Sequence, residues 1–451
     1  MVDDAFDVTM YDAKTLAGDG GGGETKLMAT AGVQDTAVPT SYRGPLATVT
    51  TLFFMWGFVT VLNDILVPHL KSVFNLNYAG VMLVQFAFFS AYLLFSIPSA
   101  KVIDWIGYKK TMVVGLFIMA LGALMFVPAA SVPSYQLFLA ALMVLAAGIT
   151  VLQVAANPYV AVLGPPQTAS SRLNLAQAFN SVGTTLAPYL GGLLILGTAA
   201  PSMDAARRAS AETLQAYRIH EASSVKAPYL FIGLGLIALG IAISAFKLPP
   251  IPVPERDTGR VQGYSPWRYR HLVLGMCGIF LYVGAEVSIG SFLVSYFVQP
   301  EIGHISAQMA AKYVSFYWGG AMVGRFIGSA ILQKARTETV LGIAAIAACT
   351  LVGVSALTSG SIAMWSIIAV GLFNSVMFPS IFTLAIAKLG PLTGYASGLL
   401  VTAIVGGAIL PVMQGMLADH LGIQIAFVLP AICYVYIVFY AFKGSRPVVP
   451  V

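Results

Sequence analysis

Long apolar segments, separated by short polar ones, follow one another along the chain from about residue 46 onward. About 20 apolar residues are what an α-helix needs to cross the hydrocarbon core of a bilayer. The pattern predicts twelve such helices, which we number as spans 1 to 12. They cover residues 46–68, 80–103, 109–129, 135–160, 172–197, 227–248, 272–298, 308–333, 338–358, 361–389, 394–417 and 421–442. The sequence therefore predicts an all-α membrane protein.

Composition strengthens this prediction and removes other classes. Apolar residues make up 58% of the 451 residues and charged residues only 9%, against roughly 25% charged in an average soluble domain. The net charge of +6 does not indicate nucleic acid, because the basic residues lie in short loops between spans. The three cysteines lie inside apolar spans without a CxxC spacing, so we expect no metal and no cofactor.

Hydrophilic segments predict the domain organisation. Residues 1–44 are polar and glycine-containing and predict a disordered cytoplasmic tail, and residues 443–451 predict a second tail. Residues 249–271 begin with four prolines, at 249, 250, 252 and 254, which are followed by charges. They predict a cytoplasmic linker between an N-terminal half, 45–248, and a C-terminal half, 272–442. Positive charges in the short loops of one side place both termini in the cytoplasm.

The two halves repeat one another. Span 5 contains a G-x4-P-x3-G spacing that recurs in span 11, 223 residues later. The repeated positions are Gly183, Pro188 and Gly192, and Gly406, Pro411 and Gly415. At nearly the same offset, Asp64 corresponds to Glu286 and Pro158 to Pro379. Matches at one offset indicate a duplicated six-helix unit, and two such halves related by an axis along the membrane normal are the architecture of the major facilitator superfamily.

Two acids lie inside apolar spans: Asp64 in span 1 and Glu286 in span 7. An ionised carboxylate in hydrocarbon costs at least a few kcal/mol, so such residues usually line a protein-enclosed pathway. We predict that both take part in proton coupling. For each, a hydrogen-bonded or ion-paired structural role is the alternative. Arg325 in span 8 is expected near the inner end of its span, where it anchors helices.

Uncharged amides concentrate in spans 4 and 5. Gln153 and Asn157 are four residues apart, and Asn174, Gln177 and Asn180 recur every three residues, so each set shares a helix face. Amides both donate and accept hydrogen bonds, as a polyhydroxylated, uncharged ligand requires.

Three further residues complete the predicted sugar site. They are Trp56 in span 1, Tyr317 in span 8 and Asn374 in span 10. For any single aromatic residue, packing in the core or against lipid is the alternative.

The segment between spans 2 and 3 resembles the loop motif of the superfamily, G-x-x-x-D-R-x-G-R-K. It matches at Asp104, Gly107 and Lys109 and departs from the motif at three other positions. An aspartate at a helix end can pair with a cation or a helix N-terminus across the two halves, so we predict a conformational latch. An ordinary capped turn with positive-inside lysines is the alternative.

Three longer segments resemble the fucose–proton symporter family of this superfamily, which includes fucose, glucose/galactose and N-acetylglucosamine permeases. They are Asn63–Pro68, Ala155–Gly164 and Arg172–Ser181. The resemblance implies that Asp64 is a protonation and coupling group and that Asn180 lies in the substrate pocket. Gln153 stands where fucose permeases have a functional glutamate, and span 7 carries Glu286 instead, so the chain looks more like the glucose/galactose branch.

The expected function is proton-coupled symport of a hexose, glucose or galactose, into the cell by alternating access, and not an enzyme activity. Symport of fucose or N-acetylglucosamine and facilitated sugar uniport are the alternatives. We expect a monomer in the bacterial inner membrane, with a sugar, protons and the lipid bilayer as partners and no nucleic acid.

Overall fold

The computed structural model describes residues 42–74, 78–132, 134–195, 223, 225–251 and 265–447. Most of the predicted N-terminal tail, the last four residues of the predicted C-terminal tail and the central part of the predicted linker lie outside these residues. Within them the chain is helical and contains no strand, as the apolar pattern predicts.

Five helical segments make up the N-terminal half. They are Arg43–Phe74 for span 1, Tyr78–Ser131 for spans 2 and 3, Tyr135–Val162 for span 4, Ala169–Ile195 for span 5 and Lys226–Ala245 for span 6. Spans 2 and 3 meet at Gly107, whose φ of 78° and ψ of 167° break the helix. Glycine adopts a positive φ readily because it has no Cβ. The break is required, since an unbroken helix of this length would far exceed the ~30 Å hydrocarbon core.

The C-terminal half follows the same plan with more interruptions. Spans 7, 8 and 9 are Arg270–Phe297, Ala307–Ile331 and Thr337–Leu357. Span 10 is split into Gly360–Asn374 and Met377–Ile386, and span 11 into Thr393–Thr402 and Gly406–Leu421. Span 12 comprises Ile423–Ala426 and Val428–Phe439 and ends in a wider turn, Tyr440–Gly444.

Among the described residues, nine helical stretches are long and apolar enough to cross a membrane. One of them, Phe86–Ser131, contains most of span 2 and all of span 3. The helices of spans 5 and 8 fall outside that set because they are less apolar, and span 5 carries the run of amides. Counted together, these helices match the twelve predicted spans.

The halves pack their helices in matching pairs. Span 1 packs on span 5 and span 3 on span 6, while span 7 packs on span 11 and span 9 on span 12. Gly183 lies directly against the backbone of Phe54 in span 1, and Gly406 lies against the backbone of Phe280 in span 7. These glycines are the first positions of the repeated motif. The repeat therefore serves the same close helix contact in each half.

The two most extensive seams between the halves are span 2 against span 11, and span 5 against span 8. At Gly398 of span 11, an added Cβ would lie 2.8 Å from Ala100 Cβ and 3.0 Å from the carbonyl oxygen of Ser96. In the other seam, Ser171 Oγ donates to the carbonyl of Ser329 at 2.7 Å, and Ser329 Oγ donates to the carbonyl of Ser171 at 3.2 Å. Both seams close the bundle at the end where spans 2 and 3 connect, which we call the loop 2–3 end.

The predicted latch residues also lie at this end, with contacts that differ from the expected ones. Lys109 Nζ donates to the carbonyl of Ser244 at the end of span 6, at 2.8 Å, a contact within the N-terminal half. Across the halves, the hydroxyl of Tyr108 would lie 3.6 Å from a Cβ added at Gly394. Tyr108 thus lies close to span 11, Lys109 holds the loop against span 6, and the latch role of Asp104 stays a prediction.

Candidate functional site

A cavity of ≈ 170 Å³ lies between the two halves. Its volume is many times the ~10–15 Å³ that one water molecule requires. Spans 1, 2, 4 and 5 form one wall, and spans 7, 8, 10 and 11 form the other. Any ligand held here would contact both halves, and closing or opening the bundle would change its exposure.

The N-terminal wall contains four of the predicted binding residues. Trp56, Gln153, Gln177 and Asn180 all line the cavity. Gln153 Nε2 donates to the hydroxyl of Tyr92 at 2.9 Å, which fixes the orientation of that amide. Three of the five amides predicted to share helix faces therefore line one space, whereas Asn174 Nδ2 donates to the carbonyl of Arg325 at 2.6 Å.

Asn180 also links span 5 to span 1. Its Nδ2 donates to the carbonyl of Phe53 at 2.9 Å. The indole of Trp56 packs on the ring of Phe53 with centroids 4.0 Å apart. The amide and the indole are thus held in fixed positions side by side in the cavity wall.

The C-terminal wall contains the charged groups. Glu286 Oε1 accepts a hydrogen bond from the Tyr282 hydroxyl at 2.8 Å, and Arg325 Nη2 lies 3.9 Å from the same oxygen. Arg325 Nη1 also donates to Ser181 Oγ of span 5. Two opposite charges in a poorly solvated site offset part of each other's desolvation cost. The pair lies at the boundary where the halves meet.

Arg325 shows where the sequence interpretation is incomplete. It does bond a neighbouring helix, as an anchoring residue would, but it also lines the cavity beside Glu286. The signal was available, because a cation inside an apolar span needs a partner, and the preceding span carries an acid. Tyr92 and Tyr282 give no comparable signal, since tyrosines are common in apolar spans.

Two predicted binding residues, Asn374 and Tyr317, lie behind the wall and do not line the cavity. Both are fully buried. Asn374 Nδ2 donates to the Tyr317 hydroxyl at 2.9 Å, and its Oδ1 accepts from the Tyr434 hydroxyl at 2.7 Å. Because these tyrosines occupy the amide, Asn374 holds spans 8, 10 and 12 together in this structure instead of facing a ligand.

Asn157 is the third predicted binding residue that the structure keeps away from the cavity. It is fully buried, and within the described part of the chain neither of its amide atoms has a hydrogen-bond partner. It lies one turn beyond Gln153, toward the loop 2–3 end. There span 11 covers span 4, with Ser397 Oγ donating to the carbonyl of Val154 at 2.8 Å.

Asp64 lies in the helix Arg43–Phe74, four residues beyond Thr60, which lines the cavity. Four helical residues advance the backbone by about 6 Å. The side chain of Asp64 lies outside the described part of the structure, so its coupling role stays a prediction. Within the described residues no group of three or more His, Cys, Asp or Glu side chains could hold a metal ion.

Comparison of the sequence with known proteins shows a family profile and several close relatives. The Major Facilitator Superfamily profile matches residues 47–404. A glucose/galactose transporter of Brucella abortus biovar 1 is 50% identical over 412 residues, covering 91% of this chain and 97% of that protein. The L-fucose–proton symporter of Escherichia coli K12 is 34% identical over 415 residues, covering 90% and 94%.

Structural comparison agrees. A crystal structure of a major facilitator superfamily transporter, FucP, in the outward conformation matches with a TM-score of 0.84 at 34% sequence identity. The match covers 90% of this chain and 99% of that one.

The position of Asn374 can be tested by substitution. Asn374→Ala should lower the thermal unfolding temperature of the purified protein, because it leaves the hydroxyls of Tyr317 and Tyr434 without their partner, at about 1–3 kcal/mol each. Ser366→Ala is the control, since that buried hydroxyl bonds only a carbonyl of its own helix. Equal unfolding temperatures for the two variants would contradict the assigned role.

Proposed function

The chain belongs to the major facilitator superfamily, and from that premise we propose that it is a secondary active transporter that moves a hexose together with protons. One observation carries the proposal: the cavity between the halves has neutral amides on one wall and the carboxylate of Glu286 on the other. In superfamily transporters built from two repeats, the substrate site lies between the repeats and is exposed to each side in turn.

The N-terminal wall supports a sugar as the substrate. Gln153, Gln177 and Asn180 offer donors and acceptors for hydroxyl groups, and the indole of Trp56 offers a flat apolar surface for a sugar ring. We propose glucose or galactose because the 50% identical relative is described as a transporter of these sugars. Fucose and N-acetylglucosamine are the alternatives.

The acids support coupling to protons. In our proposal Asp64 and Glu286 take up protons from one compartment and release them into the other. A proton gradient favours this movement by about 1.4 kcal/mol per pH unit, plus roughly 2.3 kcal/mol per charge for each 100 mV. Neutralising Glu286 would also remove its attraction to Arg325, which bonds Ser181 in the opposite half. The charge on Glu286 therefore acts on a contact between the halves.

The same proposal includes a topology. Both termini lie in the cytoplasm of a bacterial cell, the protein is a monomer in the inner membrane, and the loop 2–3 end faces inward. The positive charges of the short loops support this orientation. The loop 2–3 end is closed by the two seams, and the match to a structure in the outward conformation supports a cavity that faces outward.

The proposal is tested by transport in reconstituted vesicles. Labelled glucose, galactose, fucose and N-acetylglucosamine are compared with and without an inward proton gradient. We expect glucose or galactose to accumulate above the outside concentration only when the gradient is present. Equilibration without accumulation under both conditions would identify a uniporter, and accumulation of fucose alone would overturn the proposed substrate.

Asp64→Asn should abolish accumulation, because an amide cannot take up a proton, while sugar binding persists. Accumulation and binding are measured in the same vesicle preparation. Asp419→Asn, a change at an exposed aspartate near the end of span 11, is the matched control and should transport like the original protein. Full accumulation by the Asp64 variant would remove it from the coupling step.

Asn180→Ala should increase the apparent sugar dissociation constant by a factor of between about five and about a hundred. The reason is that the loss of one amide contact costs about 1–3 kcal/mol of binding free energy. Binding is measured by calorimetry on the purified protein. Gln424→Ala serves as the control, since that amide bonds the backbone of Ser355 and Thr358 away from the cavity. An affinity equal to that of the control would show that Asn180 does not contact the sugar.

A further inference from the structure

One hydroxyl group in the cavity wall faces two acceptors. The oxygen of Tyr282 lies 2.8 Å from Glu286 Oε1 and 3.0 Å from the backbone carbonyl oxygen of Asn374. A phenol carries a single hydrogen to donate. It can therefore make one strong, well-aligned bond at a time, and the two acceptors compete for it.

The charge on Glu286 decides this competition. When the carboxylate is ionised, it attracts the hydrogen more strongly, because a hydrogen bond to an ionised acceptor is roughly twice as strong as a neutral one. When Glu286 has gained a proton from water in the cavity, its own O–H can donate to the Tyr282 oxygen. The hydrogen of Tyr282 is then free to turn toward the Asn374 carbonyl. The hydroxyl only rotates, and the tyrosine gains and loses no proton.

The second acceptor lies at a break in a helix. Asn374 is the last residue of the first segment of span 10, and the span resumes at Met377. Two residues just beyond the break, Phe378 and Pro379, line the cavity. A bond gained or lost at the break therefore acts on a segment that forms part of the cavity wall.

Asn374 itself is held in place from two other helices. Its side chain bonds the hydroxyls of Tyr317 and Tyr434. Because the amide is fixed on both sides, its backbone carbonyl stays within reach of Tyr282 while the hydroxyl turns. Tyr317 and Tyr434 thus keep the Asn374 carbonyl in position to accept a hydrogen bond from Tyr282.

From this geometry we infer that Tyr282 is a positioning residue for proton coupling. Its hydroxyl bonds Glu286 when that acid is ionised and bonds the break in span 10 when the acid is protonated, so that proton uptake is linked to the cavity wall at Phe378. The inference rests on the proposed function, because it requires Glu286 to gain and lose a proton during transport.

Other charged and titratable groups also act on Glu286. Among the described side chains they are Arg325 and Tyr317 of span 8 and Tyr434 of span 12, besides Tyr282 of its own span. The tyrosines keep their protons near neutral pH, since a phenol ordinarily ionises near pH 10. Variants of Tyr282 and Tyr434 leave Arg325 in place, so they can be compared directly.

The test compares Tyr282→Phe with Tyr434→Phe. Each removes one hydroxyl from a fully buried tyrosine that bonds Asn374, but only Tyr282 also bonds Glu286. Sugar affinity is measured by calorimetry over a series of pH values. Removing the donor destabilises the ionised form of Glu286, so the acid keeps its proton to higher pH. For Tyr282→Phe we expect the midpoint, the pH at which sugar affinity is half lost on the alkaline side, to rise by about one pH unit.

The control and the original protein separate the possible outcomes. Tyr434→Phe should leave the midpoint where it was, because the bond between Tyr282 and Glu286 is intact and Tyr317 still holds Asn374. An unmoved midpoint in Tyr282→Phe, or equal shifts in both variants, would overturn the inference while leaving proton-coupled transport intact. If the original protein binds sugar independently of pH and does not accumulate it with a gradient, the proposed function fails, and the inference fails with it.

A second variant keeps the test decisive if Tyr282→Phe does not fold. Replacing Tyr282 with a difluorotyrosine by codon reassignment preserves its shape and makes the hydroxyl a stronger donor. A stronger donor favours the ionised form of Glu286, so the midpoint should move to lower pH, opposite to the phenylalanine variant. A midpoint that stays in place would contradict the inferred reorientation of the Tyr282 hydroxyl between its two acceptors.

Discussion

Polar groups buried among apolar helices have few partners except one another, and this constraint organises the whole structure. In hydrocarbon each unsatisfied polar group costs several kcal/mol, so the cavity amides and the pair of Glu286 and Arg325 lie along the boundary between the halves, and Asn374 lies in a buried tyrosine cluster. Glu286 takes its bonds from Tyr282 and its nearest positive charge from Arg325. Placing these groups at the boundary also makes the contact between halves depend on their charge.

The duplicated halves share their packing but not their chemistry. Gly183 and Gly406 occupy equivalent positions and make equivalent close contacts, because a helix crossing of that kind tolerates no side chain. The cavity walls have diverged: amides line one and a charged pair lines the other. Close helix packing requires the same glycine in both halves. A sugar has no twofold symmetry, so its binding does not require the two cavity walls to be alike.

The sequence predicts the helices well because a bilayer sets their length and excludes charge from them. It also predicts that Gln153, Gln177 and Asn180 share one space, since helical periodicity places residues on faces. It fails where the answer depends on which helices are neighbours. Asn374 resembles a binding amide until Tyr317 and Tyr434 are seen to enclose it, and those contacts join residues about 60 positions apart. The cavity role of Arg325 likewise requires knowing that span 8 packs against spans 5 and 7.

The hydrogen bonds between spans 5 and 8 affect how fast the two halves can separate at the loop 2–3 end. The reciprocal bonds of Ser171 and Ser329 join neutral groups, and each such bond contributes only about 0.5–1.5 kcal/mol, since water can replace it. Entering water would therefore substitute for these two bonds one by one as the bundle opens, so the serine pair adds little to the activation barrier. Dissolved ions screen charges and leave neutral pairs untouched, so the serine pair should separate equally fast at low and at high ionic strength, unlike the charged contact between Arg325 and Ser181 in the same seam.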